Sequence, residues 1–111
     1  MKHFLQETDI PSDELDGLFS RAARLKQQRG RTGTDTLHGQ SWGLMFFKKS
    51  TRTRVSFHVG VAELGGTPIT LNADDLQISR GETVPDTARV LSRYLHGLVI
   101  RCFDHKLLED F

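Results

Sequence analysis

The chain has 111 residues, a formal net charge of +1 and a single cysteine, Cys102. This length fits one modest domain, and 37% apolar with 26% charged residues is typical of a globular protein and excludes a disordered chain. A charge so close to zero gives no reason to expect a nucleic acid or an anionic membrane as partner. No apolar run is long enough to span a membrane, the amino-terminal residues lack an apolar signal core, and a lone cysteine fits a reducing compartment, so we expect a cytoplasmic protein.

The first predicted element is a helix from about Pro11 to Gln28. Proline suits a first helical position, and Asp13 and Glu14 complement the positive end of the helix dipole. Apolar residues then recur at helical spacing, at Leu15, Leu18, Phe19, Ala22 and Leu25. The Gly- and Thr-rich segment from Gly30 to Gly39 is predicted to be a loop.

The middle of the chain combines a clear strand with an ambiguous segment. Trp42 to Phe47 is a short apolar run typical of a buried strand, and the polar stretch Lys48 to Arg54 follows it. From Val55 to Val61 apolar residues alternate as in a strand, but apolar character continues to Leu64, as in a helix buried on most sides. Gly65-Gly66 is a good helix stop. Periodicity alone leaves helix and strand open here.

The remaining residues are predicted to alternate strands with helices. In order they form a strand over Thr67–Leu71, a polar loop over Asn72–Gly81, a helix that ends at Gly97, a strand over Leu98–Ile100 and a helix from His105 to Phe111. Thr83 and Asp86 resemble a capping box at the start of the first of these helices. The continuous β-favouring run Leu98-Val99-Ile100 is typical of a strand covered on both faces.

Alternation of helices and strands predicts an α/β fold, a parallel sheet with helices on both faces. Ligands of such sheets collect at the carboxyl ends of the strands. Lys48 to Arg54 follow the first strand, and Arg101 ends the third. If these two strands are neighbours, the two groups share one crevice.

The residues after the first strand suit an anion. Helix-start N–H groups carry partial positive charge, Ser50, Thr51 and Thr53 add hydroxyl donors, and Arg52 adds a planar cationic fork. An ordinary structural role is the alternative, with Ser and Thr as helix caps and with the arginines solvated or paired with Glu63 or Asp86. Arg101 could likewise be a surface residue. The residues alone leave both interpretations open.

Other chemistry finds little support in the sequence. The five histidines show no metal-ligand spacing, so no metal site is predicted; they are His3, His38, His58, His96 and His105. Cys102 is interpreted as a small buried or edge residue, not a nucleophile. No pair of carboxylates is placed for acid–base catalysis.

The segment Ser50-Thr51-Arg52-Thr53-Arg54, followed by VSFHVGVAELGG, resembles the carbamoyl-phosphate motif of the aspartate and ornithine carbamoyltransferases. DLQISRGETVPDTARVLSRY, at residues 75–94, looks more like the ornithine branch, and the resemblance extends over nearly the whole chain. It implies that the ambiguous segment is helical. It also implies the fold, the carbamoyl-phosphate-binding domain of the carbamoyltransferases.

The resemblance implies a role for each matching residue. Ser50, Thr51, Arg52 and Thr53 would hold the phosphate of carbamoyl phosphate, and Thr53 and Arg101 would also point at its carbonyl oxygen. Arg52, Thr53 and Arg101 are therefore the expected catalytic residues. Arg54 would be a structural support. Gln77 lies on a loop that, in family trimers, reaches the site of the neighbouring subunit.

The implied reaction is attack by the side-chain amine of ornithine on the carbonyl carbon, which gives citrulline and phosphate in arginine biosynthesis. Fixed cations and hydroxyls would stabilise the charge on the carbonyl oxygen and the departing phosphate, with no metal or organic cofactor. The family's His-Pro-x-x-Gln segment and amino-acid-binding domain are expected after residue 111. Residues 1–111 are thus expected to be an incomplete carbamoyl-phosphate-binding domain, inactive alone, that binds ornithine and forms a homotrimer only in a full-length enzyme.

Two alternatives and three departures accompany this resemblance. The acceptor could be aspartate, N-acetylornithine or putrescine, or the chain could be a non-catalytic phosphate-binding remnant. Many relatives have Glu, Pro and Glu where Phe47, Lys49 and His58 stand here. The missing acids could have balanced Arg52 or Arg54.

Overall fold

The computed structural model describes residues 3–31, 34–76 and 81–111. The chain divides into two compact units, residues 1–33 and residues 34–111. Within the described residues, no helix is both long and apolar enough to span a bilayer.

The first unit consists of two 3₁₀ turns, Glu7–Asp9 and Ser12–Glu14, and helix α1, Leu15–Gln27. The helix begins four residues later than predicted, because the N–H of Glu14 donates to the carbonyl of Pro11 in a 3₁₀ turn. At the 3₁₀ turn Glu7–Asp9, the N–H groups of Leu5 and Gln6 donate to Asp9 Oδ2 at 2.7 and 3.1 Å. The bond from Leu5 is the main cause that holds the pKa of Asp9 below its ordinary value.

The second unit is a three-stranded parallel sheet with helices between the strands. Its elements are β1 (Ser41–Phe46), α2 (Thr51–Glu63), β2 (Thr67–Asn72), a 3₁₀ turn (Ala73–Asp75), α3 (Val84–Tyr94), β3 (Gly97–Arg101) and α4 (His105–Asp110). The strand order is β2-β1-β3, and both pairs are parallel. The chain moves from β1 to β2 in one direction across the sheet and from β2 to β3 in the other. By the rule that such crossovers are right-handed, α2 and α3 belong on opposite faces. The parallel sheet with helices between its strands confirms the predicted fold class.

The core of this unit lies along β1, the central strand. Leu44 and Met45 are fully buried, and Phe46 is only 4% exposed. Val61 of α2 packs against Leu44 and Phe46. These exposures confirm the prediction of a buried first strand. The burial arises because β1 is the middle strand of a parallel sheet, which is covered on both faces.

Two burial predictions are wrong within this chain. β3 is half-buried along its length because it is an edge strand. In α2 only Val61 is buried, and Val55 and Phe57 are 52% and 43% exposed. Although apolar residues occur around the whole circumference of α2, most of its sides are therefore not buried in this chain.

The ambiguous segment is a helix, as the family resemblance implied, and both of its ends have defined caps. Ser50 is the N-cap, with extended backbone and a side chain that accepts the N–H of Thr53. At the other end Gly65 has φ +87°. The N–H of Gly66 reaches the carbonyl of Val61, and that of Gly65 reaches the carbonyl of Ala62. This is the Schellman arrangement, which favours glycine at the left-handed position.

Candidate functional site at the carboxyl edge of the sheet

The carboxyl ends of all three strands meet at one edge. Phe46, the last residue of β1, is in register with Asn72 at the end of β2 and with Arg101 at the end of β3. One residue further on, the N–H of Phe47 donates to the carbonyl of Arg101 at 2.9 Å. The first and third strands are therefore neighbours, as a shared crevice requires.

The N terminus of α2 opens onto this edge. Ser50 Oγ accepts the N–H of Thr53 at 3.4 Å. The N–H groups of Thr51 and Arg52 precede the first intrahelical bonds and have no partner within the helix. With the helix dipole they give this end partial positive charge, which favours an anion.

The charges in the first turn of α2 oppose the helix dipole. This turn contains no acidic residue, but it contains Arg52 and Arg54. In α3, by contrast, Asp86 lies in the first turn, the favourable position for a carboxylate. Cations at a helix N terminus are unfavourable by a few tenths of a kcal/mol to about 1 kcal/mol each. A bound anion would remove this repulsion at α2.

Arg101 is joined directly to this helix end. Its Nη1 donates to Thr53 Oγ1 at 2.8 Å, and both residues are half-buried. Its Nε is buried and has no hydrogen-bond partner among the described residues. A guanidinium has five N–H donors, so Arg101 retains donor capacity beyond its bond to Thr53.

Arg54 is held on the sheet. Its Nη2 donates to Asn72 Oδ1 at 2.5 Å, and its guanidinium carbon lies 5.6 Å from the ring centroid of Phe46. The pairings considered from sequence are not what holds it. Asp86 pairs with Arg89 at 3.1 Å, and Glu63 lies about 14 Å further along the axis of α2. These contacts suit the supporting role implied for Arg54.

Arg52 is exposed, whereas Arg54 is half-buried, and Arg52 forms no ion pair in the described part of the chain. Two of the departures noted above, Lys49 and His58, are also exposed. The third, Phe47, has its ring in a tilted contact with that of Phe111, with centroids 6.4 Å apart and an interplanar angle of 58°. The cationic side chain of Arg52 is thus left available at the helix end.

The structure brings five of the predicted site residues together: Ser50, Thr51, Arg52, Thr53 and Arg101. The sixth, Gln77, lies outside the described residues. Sequence reasoning missed Asn72, which it placed in a loop. The signal was present, since Asn72 ends the strand next to β1 and ligand-edge residues gather at strand ends. Within residues 3–31, 34–76 and 81–111, no three His, Cys, Asp or Glu residues form a group that could hold a metal ion.

The sequence of this chain is similar to those of known proteins over nearly its whole length. A family model described as "Aspartate/ornithine carbamoyltransferase, carbamoyl-P binding domain" matches residues 2–111. The ornithine carbamoyltransferase of Akkermansia muciniphila is 46% identical over 100% of this chain and 36% of its own length. That of Methanocorpusculum labreanum is 47% identical over 99% of this chain and 36% of its own length. The chain therefore spans about a third of the length of the curated relatives it matches.

Solved structures agree with these relatives. The ornithine carbamoyltransferase of Pyrococcus furiosus superposes with a TM-score of 0.89 at 43% identity, over 98% of this chain and 35% of that one. An aspartate transcarbamoylase from Trypanosoma cruzi, in complex with carbamoyl phosphate and aspartate, has the same TM-score of 0.89 at 25% identity, over 98% of this chain and 36% of that one. The backbone is thus common to both branches, whereas the sequence is nearer to the ornithine enzymes.

Proposed function

Because this chain belongs to the aspartate/ornithine carbamoyltransferase family, as its carbamoyl-phosphate-binding domain, we propose that it binds carbamoyl phosphate at the N terminus of α2. The observation that carries the proposal is the bond from Arg101 to Thr53, which joins the end of β3 to the first turn of α2. It creates one cationic, donor-rich edge out of two segments that are distant in sequence.

The proposed binding mode follows from charge. The phosphate takes the free N–H groups of Thr51 and Arg52, the hydroxyls of Ser50 and Thr51, and the guanidinium of Arg52. Its negative charge relieves the repulsion between the arginines and the helix dipole. The carbonyl oxygen then faces Thr53 and Arg101, whose buried Nε has no other partner among the described residues.

The same residues suit carbamoyl transfer. As an amine attacks the carbonyl carbon, negative charge grows on the carbonyl oxygen and on the departing phosphate. Arg101 and Thr53 would stabilise the first charge, and Arg52 with the helix end the second. Losing one such preorganised donor typically lowers the rate on the order of 100-fold or more. Binding both substrates in line would supply a further part of the acceleration.

We propose ornithine as the acceptor of the full-length enzyme, with citrulline and phosphate as products. This choice is supported by the names of the relatives at 46% and 47% identity and by the lower 25% identity to an aspartate transcarbamoylase. Exposed Val55 and Phe57 on α2 are compatible with further burial in a homotrimer. In that trimer Gln77 would reach the neighbouring site. The free thiol of Cys102 suits a reducing compartment such as the cytoplasm.

Calorimetric titration of this chain with carbamoyl phosphate tests the binding proposal. The wild type should bind, and Arg52→Ala should weaken the affinity about 10-fold or more, since a charge-assisted bond contributes on the order of 1.5–3 kcal/mol. Arg89→Ala is the matched control, because Arg89 is an exposed helix arginine that pairs with Asp86 on α3. Equal and negligible heats for the wild type and Arg52→Ala would refute the proposal.

Inorganic phosphate in the same titration separates the second candidate, a phosphate-binding remnant. If Thr53 and Arg101 hold the carbonyl oxygen, carbamoyl phosphate should bind more tightly than phosphate, and Arg101→Met should abolish the difference. Equal affinities for the two ligands in the wild type would favour the remnant.

A further inference from the structure

Lys48 and Phe103 form a contact that the proposed binding mode does not use. The ammonium of Lys48 lies 5.4 Å from the centroid of the Phe103 ring, within the range of a cation–π interaction. Phe103 is 77% exposed, so the hydrophobic core does not hold the ring in place. The cation–π contact with the lysine is therefore an interaction that can orient the ring.

The pair connects the two segments that build the anion site. Lys48 lies in the loop between β1 and α2, two residues before the cap Ser50. Phe103 lies two residues after Arg101, between β3 and α4. The pair therefore links the loop before the cap of α2 to the loop that follows Arg101.

The neighbouring residue strengthens the same connection. Phe47 donates its N–H to the carbonyl of Arg101 at 2.9 Å, and its ring contacts Phe111, the residue that follows α4. Phe47 and Lys48 thus contact three different residues of the stretch from Arg101 to Phe111, which we call the β3–α4 segment. Phe47 fixes the backbone, whereas Lys48 fixes the outer part of the loop, nearer to the helix cap.

We propose that Phe103 is a positioning residue for the anion site and acts through Lys48. By binding the ammonium, its ring holds the β1–α2 loop against the β3–α4 segment and so maintains the bond between Arg101 and Thr53. This inference rests on the proposed function, since the affinity for carbamoyl phosphate is the property that the pair is argued to support.

Four variants of the full 111-residue chain test the pair by calorimetry with carbamoyl phosphate. Phe103→Leu removes the π face, and Lys48→Met removes the charge but keeps the stem. Each should weaken binding about two- to fivefold, the range expected from an exposed cation–π contact. The double variant should be no weaker than either single variant, because one interaction is lost in all three. Phe103→Tyr keeps the π face and should bind like the wild type.

Two matched controls separate this role from general effects. Tyr94→Leu removes an aromatic ring of nearly the same exposure, 76%, from α3. Lys106→Met removes an exposed lysine that pairs with Asp110 on α4. Neither should change the affinity. A lowered melting temperature of Phe103→Leu with unchanged affinity would reduce Phe103 to a merely structural role and overturn the proposal.

A ligand-free measurement distinguishes failure of the pair from failure of the proposed function. In the NMR spectrum of the wild type, the ring current of Phe103 should shift the Lys48 ε-methylene protons upfield, and Phe103→Leu should abolish that shift. No upfield shift in the wild type, or weaker binding by Lys48→Met alone, overturns the positioning role and leaves the anion site intact. No heat from the wild type overturns the proposed function itself, and with it the role of Phe103, whatever the spectrum shows.

Discussion

Ser50 combines two roles at the N terminus of α2, that of helix cap and that of anion ligand, and a substitution can separate them. Ser50→Asp keeps a good N-cap and favours the helix dipole, so stability should be retained. Its carboxylate should repel phosphate and weaken carbamoyl-phosphate binding at least 10-fold. Ser50→Ala should instead destabilise the fold by about 0.5–2 kcal/mol through loss of the cap. Thermal melts and calorimetry measure the two effects.

The cap of α3 offers a matched control for this experiment. Thr83 accepts the N–H of Asp86 at 3.3 Å, as Ser50 accepts that of Thr53. Thr83→Asp should leave the affinity unchanged, since α3 already has an acid in its first turn. Wild-type affinity in Ser50→Asp would place the anion elsewhere.

The hydroxyl of Thr53 is the acceptor that orients Arg101. Thr53→Val removes that acceptor, so Nη1 of Arg101 loses its partner, while its Nε already has none among the described residues. The free energy of unfolding should fall by about 1–3 kcal/mol, because the lost bond involves a charged group. Thr53→Ser keeps the hydroxyl and should recover most of the loss. Urea unfolding of the three proteins tests this, and equal stability of Val and Ser variants would show that the bond contributes nothing.

At the residue scale, the sequence predicts the ligands better than their supports. Ser50 to Thr53 combine hydroxyls, a cation and a helix start within four positions, so a local pattern is enough to find them. The partner of Arg54 is Asn72, 18 positions away, and that of Lys48 is the exposed Phe103. Such pairs depend on which strands become neighbours, and no local pattern contains that information.

The close packing of β3 against β1 can be tested by a substitution at Gly97. A Cβ added at Gly97 would overlap the rigid ring of Trp42, its partner in the strand register. Gly97→Ala should therefore lower the free energy of unfolding by about 1–3 kcal/mol through overpacking. Gly60→Ala on α2 is the control, since nothing lies within 4 Å of its added Cβ. That change should stabilise the helix by about 0.5–1 kcal/mol. Chemical denaturation of both variants measures the effects, and no loss in Gly97→Ala would contradict the packing.

Element types were predictable where the end signals agreed with the pattern. The strand β1 and the helix α3 each combined a clear apolar pattern with a matching signal at one end. The segment from Val55 to Val61 alternates like a strand, yet it is helical because the Ser50 cap and the Gly65-Gly66 stop define its two ends. The capping box predicted at Thr83 and Asp86 formed in part. Thr83 caps the helix, but the Asp86 carboxylate pairs with Arg89.

For the whole molecule, alternation of helices and strands predicted a parallel sheet but could not determine the strand order. The order β2-β1-β3 places the first and third strands side by side, and only this adjacency brings Arg101 to Thr53. Burial was less predictable. An apolar sequence marks a surface that can be covered, whereas actual coverage depends on what packs against it. Phe57 on α2 therefore remains 43% exposed.

If the anion binds where α2 begins, an NMR titration of the chain with carbamoyl phosphate should detect it there. We expect the backbone amide signals of Thr51 to Thr53 and the side-chain Nε–H signal of Arg101 to shift together along one binding curve. The amides at the start of α3 provide the internal comparison and should stay in place, because Asp86 occupies that helix end. Equal shifts at both helix ends, or shifts that exclude Arg101, would show that carbamoyl phosphate does not bind beside Arg101 at the start of α2.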